Sequence, residues 1–96
     1  MLAIAQALAS KPRVLMLDEP TTGLAPSIVG ELFDLIQRLR HEGLAVLLVE
    51  QAVDFCLELA DQAIVLNLGR VAFAGPAHSA ATRSAVDTAY LGVELA

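Results

Sequence analysis

Val14–Pro20 (VLMLDEP) joins four apolar residues to two carboxylates and a proline, and this stretch decides the fold class. An apolar run of this length without alternation is typical of a strand in a parallel sheet, covered on both faces. Asp18 and Glu19 end the run with charge, and Pro20 favours a turn there. Ala45–Val49 is a second run of the same kind. The sequence therefore predicts two buried strands.

The segments around these strands have the patterns of helices. Residues 1–10 are mostly small and aliphatic, and Lys11-Pro12 closes that helix. Between the strands, Pro26 suits a first helical turn and Gly43 suits the position after the helix end. Apolar residues recur there at helical spacing: Ile28, Leu32, Leu35, Ile36 and Leu39. A third helix is expected over about residues 52–60, so strands separated by helices predict an α/β fold with a mainly parallel sheet.

The second half of the chain predicts a β-hairpin and a closing helix. Ala63–Leu66 and Val71–Ala74 flank Asn67–Arg70, where Asn and Gly tolerate positive φ. Gly75-Pro76 is expected to end the strand pattern, and a short helix is expected over 84–91.

Composition limits the possible functions. The 96 residues have room for one small core, and the longest apolar run, Leu44–Val49, is far too short for a membrane-spanning helix. The start of the chain lacks the basic residues of a signal peptide. A net charge of −5 argues against a nucleic-acid partner. Cys56, the single cysteine, has no second thiol for a disulfide. These features fit the cytoplasm.

The residues just after the two strands are the candidates for chemistry. Ligands of open α/β sheets gather at the carboxyl ends of strands, where Asp18-Glu19 and Glu50-Gln51 stand. Adjacent carboxylates after a buried strand repel each other, and Mg²⁺ with a nucleotide would compensate that repulsion. The alternative is an acidic pair that is merely solvated.

Several motifs in order resemble the ATP-binding-cassette (ABC) ATPases. Val14–Pro20 resembles their Walker B motif, and Thr21–Pro26 stands at the place of their D-loop. Met1–Leu8 is similar to the helix after their signature motif, Val46–Gln51 to their switch strand, and Ala60–Val71 to the hairpin behind it. The resemblance covers nearly the whole chain. It implies that residues 1–96 form the C-terminal part of a P-loop NTPase domain.

The resemblance implies roles for individual residues. Asp18 would hold Mg²⁺ through its water shell, and Glu19 would take a proton from the water that attacks the γ-phosphate of ATP. Thr22, Gly23, Leu24 and Ala25 would contact a second ATPase subunit, identical or different. Transmembrane permease subunits would be further partners and would place the protein on the inner face of the cell membrane.

Two positions depart from the commonest family pattern. Ala25 replaces the usual D-loop aspartate, and Gln51 replaces the usual switch histidine. Gly23–Pro26 together with Val49–Gln51 resembles the ATPase subunits of branched-chain amino-acid importers. Gln51 still has an amide to hydrogen-bond a phosphate oxygen or the attacking water, but it cannot become a cation. Gln51 is therefore expected to act in both nucleotide binding and catalysis.

The phosphate-binding half of the site is absent from these 96 residues. The sequence contains no Gly-x-x-x-x-Gly-Lys-Ser/Thr loop and no signature motif. The chain is therefore expected to be a C-terminal fragment that does not hydrolyse ATP alone. Two other hypotheses stay open: an ABC ATPase without a membrane partner, and a non-catalytic α/β interaction module.

Overall fold

A computed structural model describes residues 2–91, which form two compact units, one within residues 1–52 and one within residues 53–96. The first unit contains α1 (Leu2–Ala9), β1 (Val14–Asp18), α2 (Pro26–His41) and β2 (Ala45–Val49). The second contains α3 (Val53–Leu59), β3 (Gln62–Asn67), β4 (Arg70–Pro76) and α4 (Ala80–Leu91). The predicted α/β class is confirmed, and no helix within residues 2–91 is long and apolar enough to cross a membrane.

In the first unit, β1 and β2 form a parallel pair. Their register runs from Val14 opposite Ala45 to Asp18 opposite Val49, so both strands end at the same edge of the sheet. The connecting helix α2 packs against β2. The core of this unit consists of buried aliphatic side chains: Ile4, Leu15, Leu17, Leu32 and Ile36.

The prediction that both faces of these strands are covered is wrong for this chain. In β1 the burial alternates, with Leu15 and Leu17 buried but Val14 and Met16 exposed by 55% and 73%. Leu47 and Val49 of β2 are each 53% exposed. A continuous apolar run cannot reveal this difference, because it reports the character of both faces and not what covers them. One face of the described sheet is thus apolar and open.

Helix α2 begins and ends as its sequence predicts. Ala25 is extended, with φ −64° and ψ 152°, and its carbonyl accepts the amides of Ile28 and Val29 after Pro26 starts the helix. After His41 the chain leaves the helix, and Gly43 has φ +93°. A residue other than glycine is strained at that φ, which explains why glycine stands there.

We expect Leu32→Ala to lower the free energy of unfolding by about 2–5 kcal/mol, because Leu32 is completely buried and its truncation leaves a cavity. Urea denaturation followed by circular dichroism measures the change. The neighbouring Glu31→Ala is the matched control, since Glu31 is exposed and its loss should change stability by less than about 0.5 kcal/mol. Equal effects of the two substitutions would contradict this assignment of the core.

In the second unit, β3 and β4 form the predicted antiparallel hairpin, with two corrections. The positive φ angles of its two-residue loop lie at Leu68 (+50°) and Gly69 (+75°), whereas Asn67 pairs with Arg70 and stays in the ladder. Strand β4 also continues through Gly75 and Pro76. Proline is tolerated there because β4 is an edge strand of a two-stranded sheet.

Helix α4 begins at Ala80, four residues before the predicted start. The Ser79 hydroxyl accepts the Thr82 amide at 3.1 Å, as an N-cap does for the third helical residue. The fully buried Thr82 hydroxyl donates to the Pro76 carbonyl at 2.6 Å, so the 2.8 Å contact between the two hydroxyls is donated by Ser79. This cap, and not the apolar pattern, decides where the helix starts.

Candidate functional site

The predicted site residues of the two strands meet at one edge of the β1–β2 sheet. Asp18 is the last residue of β1 and lies opposite Val49, the last residue of β2. Glu19 follows the first strand directly, and Glu50 and Gln51 follow the second. Parallel pairing therefore brings two segments that are about 30 residues apart in the sequence to the same place.

Glu19 leaves the strand in an unusual backbone conformation. Its φ is +46°, although it is not glycine and although the residue before a proline normally stays extended. Its amide donates to the Val49 carbonyl at 2.6 Å, and its carbonyl accepts the Thr22 amide at 3.2 Å. The chain therefore turns at Glu19 itself. In a regular strand the side chains of Asp18 and Glu19 would point to opposite faces of the sheet, and the turn removes that constraint from Glu19.

Asp18 lies on the open face of the sheet. It lines a shallow groove of about 270 Å³ together with Met16, Leu17, Leu47 and Val49. Within residues 2–91, no group of three or more His, Cys, Asp or Glu side chains is placed to hold a metal ion. An exposed single carboxylate fits Mg²⁺, which commonly keeps most of its waters and takes one or two carboxylates from the protein.

Glu50 joins the ends of the two strands through its carboxylate. One oxygen, Oε2, accepts the Thr21 amide at 3.1 Å, across 29 residues of sequence. The other, Oε1, accepts the amides of Gln51 at 3.1 Å and Ala52 at 3.5 Å. Sequence reasoning placed Glu50 at the correct edge but gave it no role, because an acidic residue after a strand does not reveal which distant amide it binds.

The hydrogen bonds of Glu50 also change its acidity. Partial burial raises its pKa, but bonds from the Thr21 hydroxyl and from the Thr21, Ala52 and Gln51 amides outweigh that effect, so the pKa of Glu50 lies below the ordinary value of a glutamate. Stabilisation from the ionised carboxylate is therefore present above the unfolded pKa and is lost as the pH falls through the lower folded value.

The remaining predicted site residues lie on the surface beside this edge. Thr22, Gly23 and Ala25 are exposed and Leu24 is half-buried. Gly23 has φ +75°, and the Leu24 amide donates to the Thr21 carbonyl at 3.1 Å, which closes a tight turn. Gln51 is also exposed. Most of this loop is therefore accessible on the surface.

Comparison with curated proteins finds relatives over most of the chain. It is 49% identical over 92 residues to the high-affinity branched-chain amino acid transport ATP-binding protein BraG of Pseudomonas aeruginosa, covering 96% of this chain and 40% of that protein. It is 52% identical over 79 residues to the probable branched-chain amino acid transport ATP-binding protein LivF of Archaeoglobus fulgidus, covering 81% of this chain and 34% of that protein. The chain thus spans 40% or less of the length of these two relatives. No family model matches it.

The fold has a counterpart among solved structures. The structure of cbiO1 from Clostridium perfringens, part of the ABC transporter complex cbiONQ, matches with a TM-score of 0.75 and 32% identity. The match covers 88% of this chain and 34% of that one. The similarities in sequence and in fold agree. The chain belongs to the ABC transporter ATP-binding proteins and has part of the P-loop NTPase fold of the ABC ATPases.

Proposed function

We propose that this chain supplies the magnesium-binding and water-activating part of an ABC ATPase domain that drives the import of branched-chain amino acids. The observation that carries the proposal is the meeting of Asp18-Glu19 and Glu50-Gln51 at one sheet edge. The names of the two curated relatives support the solute class. Residues 1–96 would then be a part of one ATPase domain.

Each residue has a proposed chemical role. Asp18 binds the water shell of Mg²⁺, and the ion supplies positive charge that offsets the charge on the phosphates of ATP. Glu19 accepts a proton from the attacking water. The Gln51 amide donates a hydrogen bond to a phosphate oxygen or positions the water, and it does so without a positive charge.

The proposed partners follow from the accessible loop and the family. Thr22–Ala25 contact a second ATPase subunit, and permease subunits bind the solute and hold the ATPase on the inner face of the membrane. Ala25 offers only a methyl group where many relatives have a carboxylate. This part of the contact is therefore expected to depend on packing and on backbone hydrogen bonds.

A chimera tests the whole proposal. In it this chain replaces the matching segment of the P. aeruginosa relative, and the chimera is expressed in a strain that lacks that relative. We expect it to restore uptake of labelled leucine and Mg²⁺-dependent ATP hydrolysis. Hydrolysis without uptake would favour an ATPase that has no such permease partner. Loss of both in a folded chimera would favour the non-catalytic interaction module.

We expect the 96-residue chain by itself to bind MgATP weakly, with a Kd above about 1 mM. Its sequence contains no loop of backbone amides with a lysine for the phosphates, so one carboxylate on a hydrated ion supplies most of the contact. Isothermal titration calorimetry with MgATP measures the affinity, and the chimera serves as the positive control. A low-micromolar Kd for the chain alone would contradict the proposal that most phosphate contacts come from a loop that these 96 residues do not contain.

A further inference from the structure

We propose that Glu50 is a positioning residue that fixes the turn formed by residues 19–22, and through it the side chain of Glu19. This inference deepens the proposed function and rests on it, since it concerns the group that is proposed to accept the proton. Glu50 itself is not assigned a contact with the nucleotide, the ion or the attacking water.

The backbone of this turn must be held in place by contacts from outside it. A non-glycine residue at φ +46° is strained relative to an ordinary backbone conformation, and the following Pro20 favours an extended Glu19. Such a conformation persists only where the surroundings over-determine it. The bond from the Glu19 amide to the Val49 carbonyl is one attachment, but it fixes only the first residue of the turn.

Glu50 provides the second attachment, two residues further on. Its Oε2 accepts the Thr21 amide at 3.1 Å, while Oε1 binds the amides of Gln51 and Ala52 in its own segment. Oε2 thus binds the segment that follows β1 and Oε1 the segment that follows β2, so the carboxylate links the two strand ends. Hydrogen bonds from amides to an ionised carboxylate are stronger than those to a neutral acceptor, and Thr21 is half-buried, which limits replacement of the lost bond by water.

Residues 49 and 50 therefore hold residues 19 and 21, and the turn is fixed at two points instead of one. Glutamate suits this role for a geometric reason. Its two oxygens accept from two different segments of the chain, whereas a glutamine has a single acceptor oxygen and would lose one of the two attachments. Removing the carboxylate should leave the chain folded but allow Glu19 to relax toward ordinary backbone angles.

The test uses Glu50→Ala in the chimera, with Glu31→Ala on the exposed face of α2 as the matched control. We expect amide exchange at Thr21 to become at least about 10-fold faster, and kcat for ATP to fall by about 10-fold while KM changes by less than about two-fold. Glu31→Ala should change none of these values. Exchange is read by fragmentation mass spectrometry, and the rates by steady-state and single-turnover assays.

The decisive arm repeats Glu50→Ala in a Glu19→Gln background. If Glu50 acts only through Glu19, its removal has no further effect there; a persistent 10-fold loss would mean that Glu50 acts on the substrate directly and would overturn the inference. Unchanged exchange at Thr21, or a change in KM alone, would overturn it as well. A parent chimera without ATPase activity would instead refute the proposed function, and the Thr21 exchange would still decide whether Glu50 holds the turn.

Discussion

Glu19→Gln in the chimera is expected to lower kcat for ATP by about 10²–10⁴-fold, which corresponds to about 3–5 kcal/mol of activation free energy. The substitution keeps the size of the side chain and its hydrogen-bonding capacity but removes the basic carboxylate. Glu19 is exposed at the end of β1, so the exchange of one polar group for another should not disturb the core. ATP binding should stay within a few-fold, because Asp18 and the phosphate-binding loop of the chimera are unchanged.

The measurement is a single-turnover hydrolysis assay at saturating MgATP, together with equilibrium binding of nucleotide. Glu31→Gln is the control, since it makes the same chemical change at an exposed position within α2. We expect the bound ATP to hold two subunits together when hydrolysis is blocked, and light scattering would detect that dimer. Retention of more than half of the parent rate would show that Glu19 is not the proton acceptor.

Asp18→Asn should give a different kind of defect, a greater requirement for Mg²⁺. We expect the Mg²⁺ concentration for half-maximal ATPase activity to rise by about 10- to 100-fold, because the substitution removes a negative charge beside a divalent cation. Asparagine still accepts hydrogen bonds from the waters of the ion, so some activity should return at high Mg²⁺. Titration of the rate with Mg²⁺ at fixed ATP measures the shift.

The two substitutions are each other's control. Glu19→Gln should lower the maximal rate without moving the Mg²⁺ midpoint, whereas Asp18→Asn should move the midpoint and recover part of the rate. If both variants show the same loss of ATPase rate at every Mg²⁺ concentration, Asp18 and Glu19 do not have the separate roles that are proposed for them. If neither loses activity, the acidic pair is merely solvated and the interaction-module hypothesis gains support.

Local signals predicted the elements of the first unit closely, for identifiable reasons. The apolar runs ending at Leu17 and Val49 were long enough for strands, and Pro26 and Gly43 marked the limits of the intervening helix. These are preferences of single residues for backbone conformations, so they act wherever the residue stands. A helix between two strands then left parallel pairing as the natural arrangement, and the register of β1 and β2 confirms it.

The errors lie where strand pairing, the place of a strand in its sheet or a helix cap overrides the preference of a single residue. Leu68 has positive φ because the pairing of Asn67 with Arg70 leaves it inside a two-residue loop. Pro76 stays in β4 because β4 is an edge strand, and α4 starts early because Ser79 caps it. The Ser79–Thr82 spacing was visible in the sequence and is the signal that could have predicted this start.

Sequence alone determined the family resemblance, the α/β class and the acidic residues at the strand ends, since these depend on residue type and order. Only the tertiary structure decided that Glu19 has positive φ, that Glu50 binds the Thr21 amide, and that Val14, Met16, Leu47 and Val49 form an open face. The physical reason is that these three properties depend on what lies opposite a residue. Hydrogen-bond partners and burial are set by chain segments about 30 residues apart, and no local propensity records them.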